Sequence, residues 1–78
     1  MTLKESNIDI LIFKTDIRLK NDVKKISSIL FEENRIKKWS IDIKDIDNVL
    51  RVESEQLDPR EVILLIKRSG YCCEELAD

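Results

Sequence analysis

Seventy-eight residues suffice for one two-layer core, burying about 60–65% of the surface that the unfolded chain exposes. With 42% hydrophobic and 38% charged residues and a net charge of −2, the balance is that of a globular domain with a well-solvated surface, neither disordered nor strongly basic. There is no histidine and one glycine, Gly70, which excludes imidazole ligands, histidine-based triads, phosphate-cradling loops and dinucleotide fingerprints together.

Residues Ile8 to Lys14 concentrate β-branched and aromatic side chains without polar alternation, the pattern of a strand covered on part of both faces. After the polar stretch from Thr15 to Lys20, Asn21 is the expected N-cap and Asp22 the first helical residue, where a carboxylate suits the macrodipole. Val23, Ile26, Ile29 and Leu30 recur at helical spacing and predict a helix over about 22–33. The period then changes to two: Trp39, Ile41 and Ile43 alternate with Lys38, Ser40, Asp42 and Lys44, a strand with one buried face. Asp45-Ile46-Asp47-Asn48 provides turn formers without a long spacer, so the next strand, Val49 to Glu53, is expected to pair antiparallel with it, Leu50 and Val52 inward.

The helix start Asp58-Pro59-Arg60-Glu61 combines an N-cap acceptor, a proline whose missing N–H costs nothing, and an acidic N3. Val62, Ile63, Leu65 and Ile66 form its apolar stripe. Lys67 and Arg68 complement the dipole of the last turn, and Gly70 ends the helix at positive φ. Tyr71 to Leu76 is expected to be a short final strand. The order β-α-β-β-α-β predicts an α+β, ferredoxin-like sandwich: a four-stranded antiparallel sheet with two helices on one face. Residues 1–78 are read as a single domain with its core over about 8–76.

The segment Ile36-Lys37-Lys38-Trp39-Ser40-Ile41-Asp42, the hairpin, the capped helix and Ser69-Gly70-Tyr71 together resemble the heavy-metal-associated domain of copper chaperones and metal-transporting ATPases. That family shares the element order, a V-x-x-V-x-V-D-like second strand and a helix ending in A-G-Y or A-G-F. The resemblance implies a metal loop between the first strand and first helix, carrying M-x-C-x-x-C, whose two thiolates clamp a soft cation such as Cu(I). Here that stretch is TDIRLKND, from Thr15 to Asp22, with neither cysteine nor methionine. No ligand position carries over, and the hard carboxylates Asp16 and Asp22 do not replace a thiolate pair. The chain reads as a degenerate relative in which the scaffold is kept and the CxxC is lost.

Cys72 and Cys73 are the only soft ligands. They are adjacent, about 3.8 Å between Cα atoms and too close for an ordinary disulfide; on a strand their side chains point to opposite faces. Cys73 is expected toward the core with Tyr71, and Cys72 outward. They are the weak candidates for metal, and no catalytic or cofactor-binding residue and no cofactor is expected. Trp39 is read as core, with an interface anchor as the alternative, and Tyr71 as structural, its hydroxyl at the rim of the sheet. Lys14, Arg18, Lys20, Lys24 and Lys25 surround the start of the first helix, either as a solvated basic face or as an anion patch.

RNA-recognition modules share the topology but stack bases on aromatics of the central strands, and Val49 to Glu53 has none. No nucleophile–base pair can be assembled, so the domain is expected not to be an enzyme. With an isoelectric point near 5.2, neither nucleic acid nor membrane is an expected partner. The expected partner is an unknown protein or a second copy, reached through an edge strand or through a sheet face bearing Leu11 or Phe13. Residues 1–39 carry +3 and 40–78 carry −5, a polarity compatible with head-to-tail steering or with scattered solvated charge. The apolar run Ile10-Leu11-Ile12-Phe13 is too short for a signal-peptide core or a membrane span. With no disulfide framework, a cytoplasmic location follows as the expectation.

Overall fold

The computed structural model describes residues 8–76. Its elements are β1 (Asp9–Thr15), α1 (Lys20–Phe31), β2 (Ile36–Asp42), β3 (Val49–Ser54), α2 (Pro59–Arg68) and β4 (Cys73–Glu75). The strands form one antiparallel sheet in the order β2-β3-β1-β4. Both helices pack on one face, which is the ferredoxin-like sandwich read from the periodicity.

Register decides which side chains make the core. Leu11 lies opposite Val52 and Phe13 opposite Leu50, while Trp39 and Ile41 of β2 face the same two β3 residues from the other side. These pairs turn toward the helices, where Phe13, Leu50, Val52, Ile26, Leu30, Val62 and Ile66 are buried with Ile17 and Leu57. Leu11 and Phe13 are therefore core residues, and the expectation that they lie on the open sheet face is corrected. β1 alternates, so the open face receives the residues between them: Ile10, which is 53% exposed, and the half-buried Ile12. Opposite them stand Glu53 and Arg51, joined by an ion pair of 2.6 Å. The helix-free face is thus charged around two isoleucines.

α1 begins two residues earlier than its sequence suggested. Leu19, in extended conformation, is the N-cap in place of Asn21. Asp22 stands at N3, where its carboxylate accepts the Leu19 backbone N–H at 3.1 Å. That is the reciprocal half of a capping box, so the carboxylate still sits in the first turn but satisfies a specific donor. β2 also starts earlier, at Ile36, because a bulge between Ile36 and Lys38 lets the strand extend past the point where strict alternation fails. It stops at Asp42, whose Oδ1 accepts the backbone N–H groups of Lys44 and Asp45 and turns the chain.

α2 carries the full set of end signals read from its sequence. Asp58 Oδ1 accepts the Arg60 N–H at 2.8 Å and Glu61 Oε2 accepts the Asp58 N–H at 3.2 Å, a capping box with Pro59 at the first position. At the other end Gly70 has φ +94°. Its N–H donates to Lys67 O, and the Tyr71 N–H donates to Ile66 O, the two bonds of a Schellman motif. The Glu33–Arg35 segment is tied to the start of α2 by the Arg35 guanidinium, which donates to Glu33 at 3.0 Å and to Glu61 at 2.9 Å.

Candidate functional site

The segment linking β1 to α1 is where the resemblance places ligands. Thr15, buried at the end of β1, holds its near side: its hydroxyl donates to Asn48 O at 2.6 Å and accepts the Ile17 N–H at 3.2 Å. The Thr15 N–H also donates to Asp47 O. Ile17 is fully buried, so the middle of the segment is anchored in the core by an apolar side chain rather than opened around an ion.

Both carboxylates of the segment are engaged by protein donors. Asp16 Oδ1 accepts the backbone N–H of Cys72 at 2.8 Å, which ties the segment to the approach to β4. Asp22 accepts the Leu19 N–H on one oxygen and the Tyr71 hydroxyl, at 2.7 Å, on the other. The Tyr71 hydroxyl, then the Leu19 N–H, hold the Asp22 carboxyl below its ordinary range. In return the bond to Asp22 raises the pKa of the phenol, since ionising it would set two anions side by side. The Lys25 ammonium lies 5.8 Å from the centre of the Tyr71 ring, a cation over the aromatic face.

The two thiols diverge. Cys73 opens β4, is 6% exposed and belongs to the core; burial pushes its pKa up to about 12, so it is a neutral, inert thiol at physiological pH. Cys72 lies before the strand and is exposed. This is the inward–outward split expected from alternation, although β4 is only Cys73–Glu75 and Cys72 is outside it. Among the described residues no group of three or more Cys, Asp and Glu side chains is placed to hold a metal.

The basic residues around the start of α1 do not act as a unit. Lys14 approaches Asp47 at 3.8 Å, Lys25 covers Tyr71, and Arg18, Lys20 and Lys24 are exposed. The first turn of α1 receives the Asp22 carboxylate of the chain itself. Trp39 is half-buried and packed against the core, intermediate between a core residue and an exposed anchor. The Asp16–Cys72 and Asp22–Tyr71 contacts, 56 and 49 residues apart in the chain, were not read from the sequence. Only the crossover that returns β4 beside β1 brings these residues together.

Three solved structures illustrate what the arrangement is similar to. The solution structure of the yeast copper transporter domain Ccc2a, in apo and Cu(I)-loaded states, superposes with a TM-score of 0.76 at 18% identity, covering 88% of this chain and 96% of that one. The chain has the ferredoxin-like βαββαβ fold of that domain. The Cu(I)-loaded first domain of the human copper chaperone for SOD1, CCS, gives a TM-score of 0.75 at 16% identity, over 88% of this chain and 93% of that one. The apo heavy-metal-associated domain of a copper chaperone for superoxide dismutase gives 0.76 at 16% identity, over 99% and 79%. No protein-family model and no curated protein sequence matches the chain. At these identities the likeness carries the heavy-metal-associated fold and not its chemistry. Among the described residues no helix is long and apolar enough to cross a membrane.

Proposed function

We propose that residues 1–78 form a single, non-enzymatic, cytoplasmic protein-interaction domain: a heavy-metal-associated scaffold that lacks the metal-binding cysteine pair and handles no metal as a monomer. The observation that carries this reading is the internal engagement of the β1–α1 segment. Its carboxylates accept from Cys72 N, Leu19 N and the Tyr71 hydroxyl, its central side chain Ile17 is buried, and it contains no thiol. A soft cation meets only hard, already hydrogen-bonded oxygens there. The remaining thiols are one inert buried group and one isolated exposed group, which is half of a two-thiolate site.

A Cu(I) titration against a competing chelator, under reducing conditions, tests the reading. The chain is expected not to take Cu(I) from the chelator at one ion per monomer, and tight equimolar binding overturns it. A second reading rests on the exposure of Cys72: two copies of this thiol share one soft cation across a dimer. Its signature is one metal per two chains, abolished by Cys72→Ser and unaffected by Cys73→Ser.

A further inference from the structure

Beside α1, along the outer side of β2, runs a groove of about 360 Å³, within the size range of ligand-binding clefts. Its floor is apolar: Val23 from the helix, Trp39 and Ile41 from the strand, and Ile43 just beyond it. Trp39 and Ile41 point to the same side as the core residues opposite them, Val52 and Leu50. They stay half-buried because β2 is an edge strand with no neighbour. The rim is cationic. Lys20 and Lys24, one turn apart on α1, border the groove, and Lys38 stands on the opposite face of the same edge, across from Glu53. Among the described residues none of these three lysines has an ion-pair partner, whereas Lys14, Lys37, Arg51 and Arg60 each have one and Arg35 has two.

We propose that this groove docks an extended, acidic segment of a partner protein, added beside β2 as a fifth strand, with apolar side chains at alternate positions filling the space over Trp39. The proposal rests on the interaction reading above and names its surface and partner chemistry. Three features select this occupant. The open edge of β2, regular from Lys38 to Asp42 beyond its bulge, supplies main-chain hydrogen bonds to an added strand. The apolar floor takes every second side chain of that strand, with Trp39 as the anchor. The lysines on both sides of the edge take carboxylates, and their long stems reach along apolar surface to do so. A second copy of this chain is the poorer occupant. Pairing β2 with its own counterpart about a two-fold axis brings Lys20 and Lys24 of both copies toward one groove, cation against cation.

A capped octapeptide of alternating glutamate and leucine serves as the probe, with alternating lysine and leucine as its counterpart, in an amide NMR titration of the full chain. The single tryptophan gives one indole N–H signal, which reports directly on the groove floor. The glutamate peptide is expected to shift that signal and the amides of Val23, Ser27, Ile41 and Ile43 saturably, less so as salt rises; the lysine peptide is expected to leave them in place. The triple variant Lys20→Glu/Lys24→Glu/Lys38→Glu changes only exposed positions, includes the lysine on the face that the glutamates of the probe occupy, and is expected to reverse the preference. Equal response to both peptides overturns the proposal. Shifts confined to β4 or the β1–α1 segment also overturn it, while leaving the interaction reading in place. Groove shifts that appear on concentrating the protein without peptide overturn it in favour of self-pairing. Tight equimolar Cu(I) binding bears on the parent reading alone, so the two failures are separable.

Discussion

The hydroxyl of Tyr71 donates to a carboxylate oxygen of Asp22 at 2.7 Å, joining the residue that closes the α2 Schellman turn to the third residue of α1. With the Asp16–Cys72 bond at 2.8 Å, it closes the end of the sandwich where the β1–α1 segment meets the approach to β4. The residue after glycine thus acts as a latch between two elements of this chain, and both carboxylates of the segment accept hydrogen bonds from donors of the chain itself.

The latch is measurable from both sides. In Tyr71→Phe the Asp22 pKa is expected to rise toward its ordinary value, because the largest cause of its depression is gone. In Asp22→Asn the phenol pKa is expected to fall back toward 10.0. NMR titration of the carboxyl carbon and ultraviolet titration of the single tyrosine read these shifts. Unchanged values in both variants would show that the bond is not formed in solution.

Stability is expected to fall at both extremes of pH. Asp22, Glu33, Asp58 and Glu61 all have depressed folded-state pKa values, through Tyr71, Arg35, Arg60 and Arg35 respectively. Their contribution is complete above the ordinary carboxylate range and is lost as the pH falls below about 4. Cys73 and Tyr71 are shifted upward. For the thiol, with a folded value of about 12 against 9.0, the contribution is complete below pH 9.0 and is lost as the pH rises toward 12. Urea midpoints across this span give the profile. In Cys73→Ala the alkaline limb is expected to flatten in part, because Tyr71 still titrates.

The two faces of β1 give contrasting substitutions. Phe13→Ala truncates a fully buried ring and is expected to cost about 3–5 kcal/mol. Ile10→Ser, on the open face, is expected to stay within about 1 kcal/mol of the parent. Denaturant unfolding monitored by Trp39 fluorescence separates them, and equal costs would contradict the register.

Gly70 is required by its backbone alone, since a Cβ placed there meets nothing within 4 Å. Gly70→Ala is therefore expected to cost about 1–2 kcal/mol, the penalty of a left-handed conformation for an L-residue, and Gly70→Asn less. Asp58→Ala removes the acceptor at the other end of α2 and is expected to lower the melting temperature by several degrees, with Asp58→Asn largely sparing it. Thermal melts of the four variants test the pair of caps.

Local signals in the chain were sufficient for the fold where each had one interpretation. Asp58-Pro59-Arg60-Glu61 and Gly70 specify both ends of α2, and alternation through Trp39 and Ile41 specifies the face of β2. The start of α1 was misplaced because Asn21 is a good capping residue by type, yet the donor that must be satisfied is Leu19 N, and Asp22 satisfies it from inside the helix. The face of Leu11 and Phe13 was ambiguous because β1 is apolar at every position from Ile10 to Phe13. Only pairing with β3 decides which pair is buried. The candidate site was legible as an absence of thiols, whereas the contacts that close it join residues about fifty apart and depend on topology. The groove was half legible: residue type and alternation make Trp39 core or anchor, and the edge position of β2 makes it accessible while packed.

A native mass spectrum recorded under reducing conditions, with and without Cu(I), tests the central claim most directly, because it reports metal and chain stoichiometry together. The expected result is a metal-free monomer in both spectra. A monomer carrying one Cu(I) in the second would contradict the account.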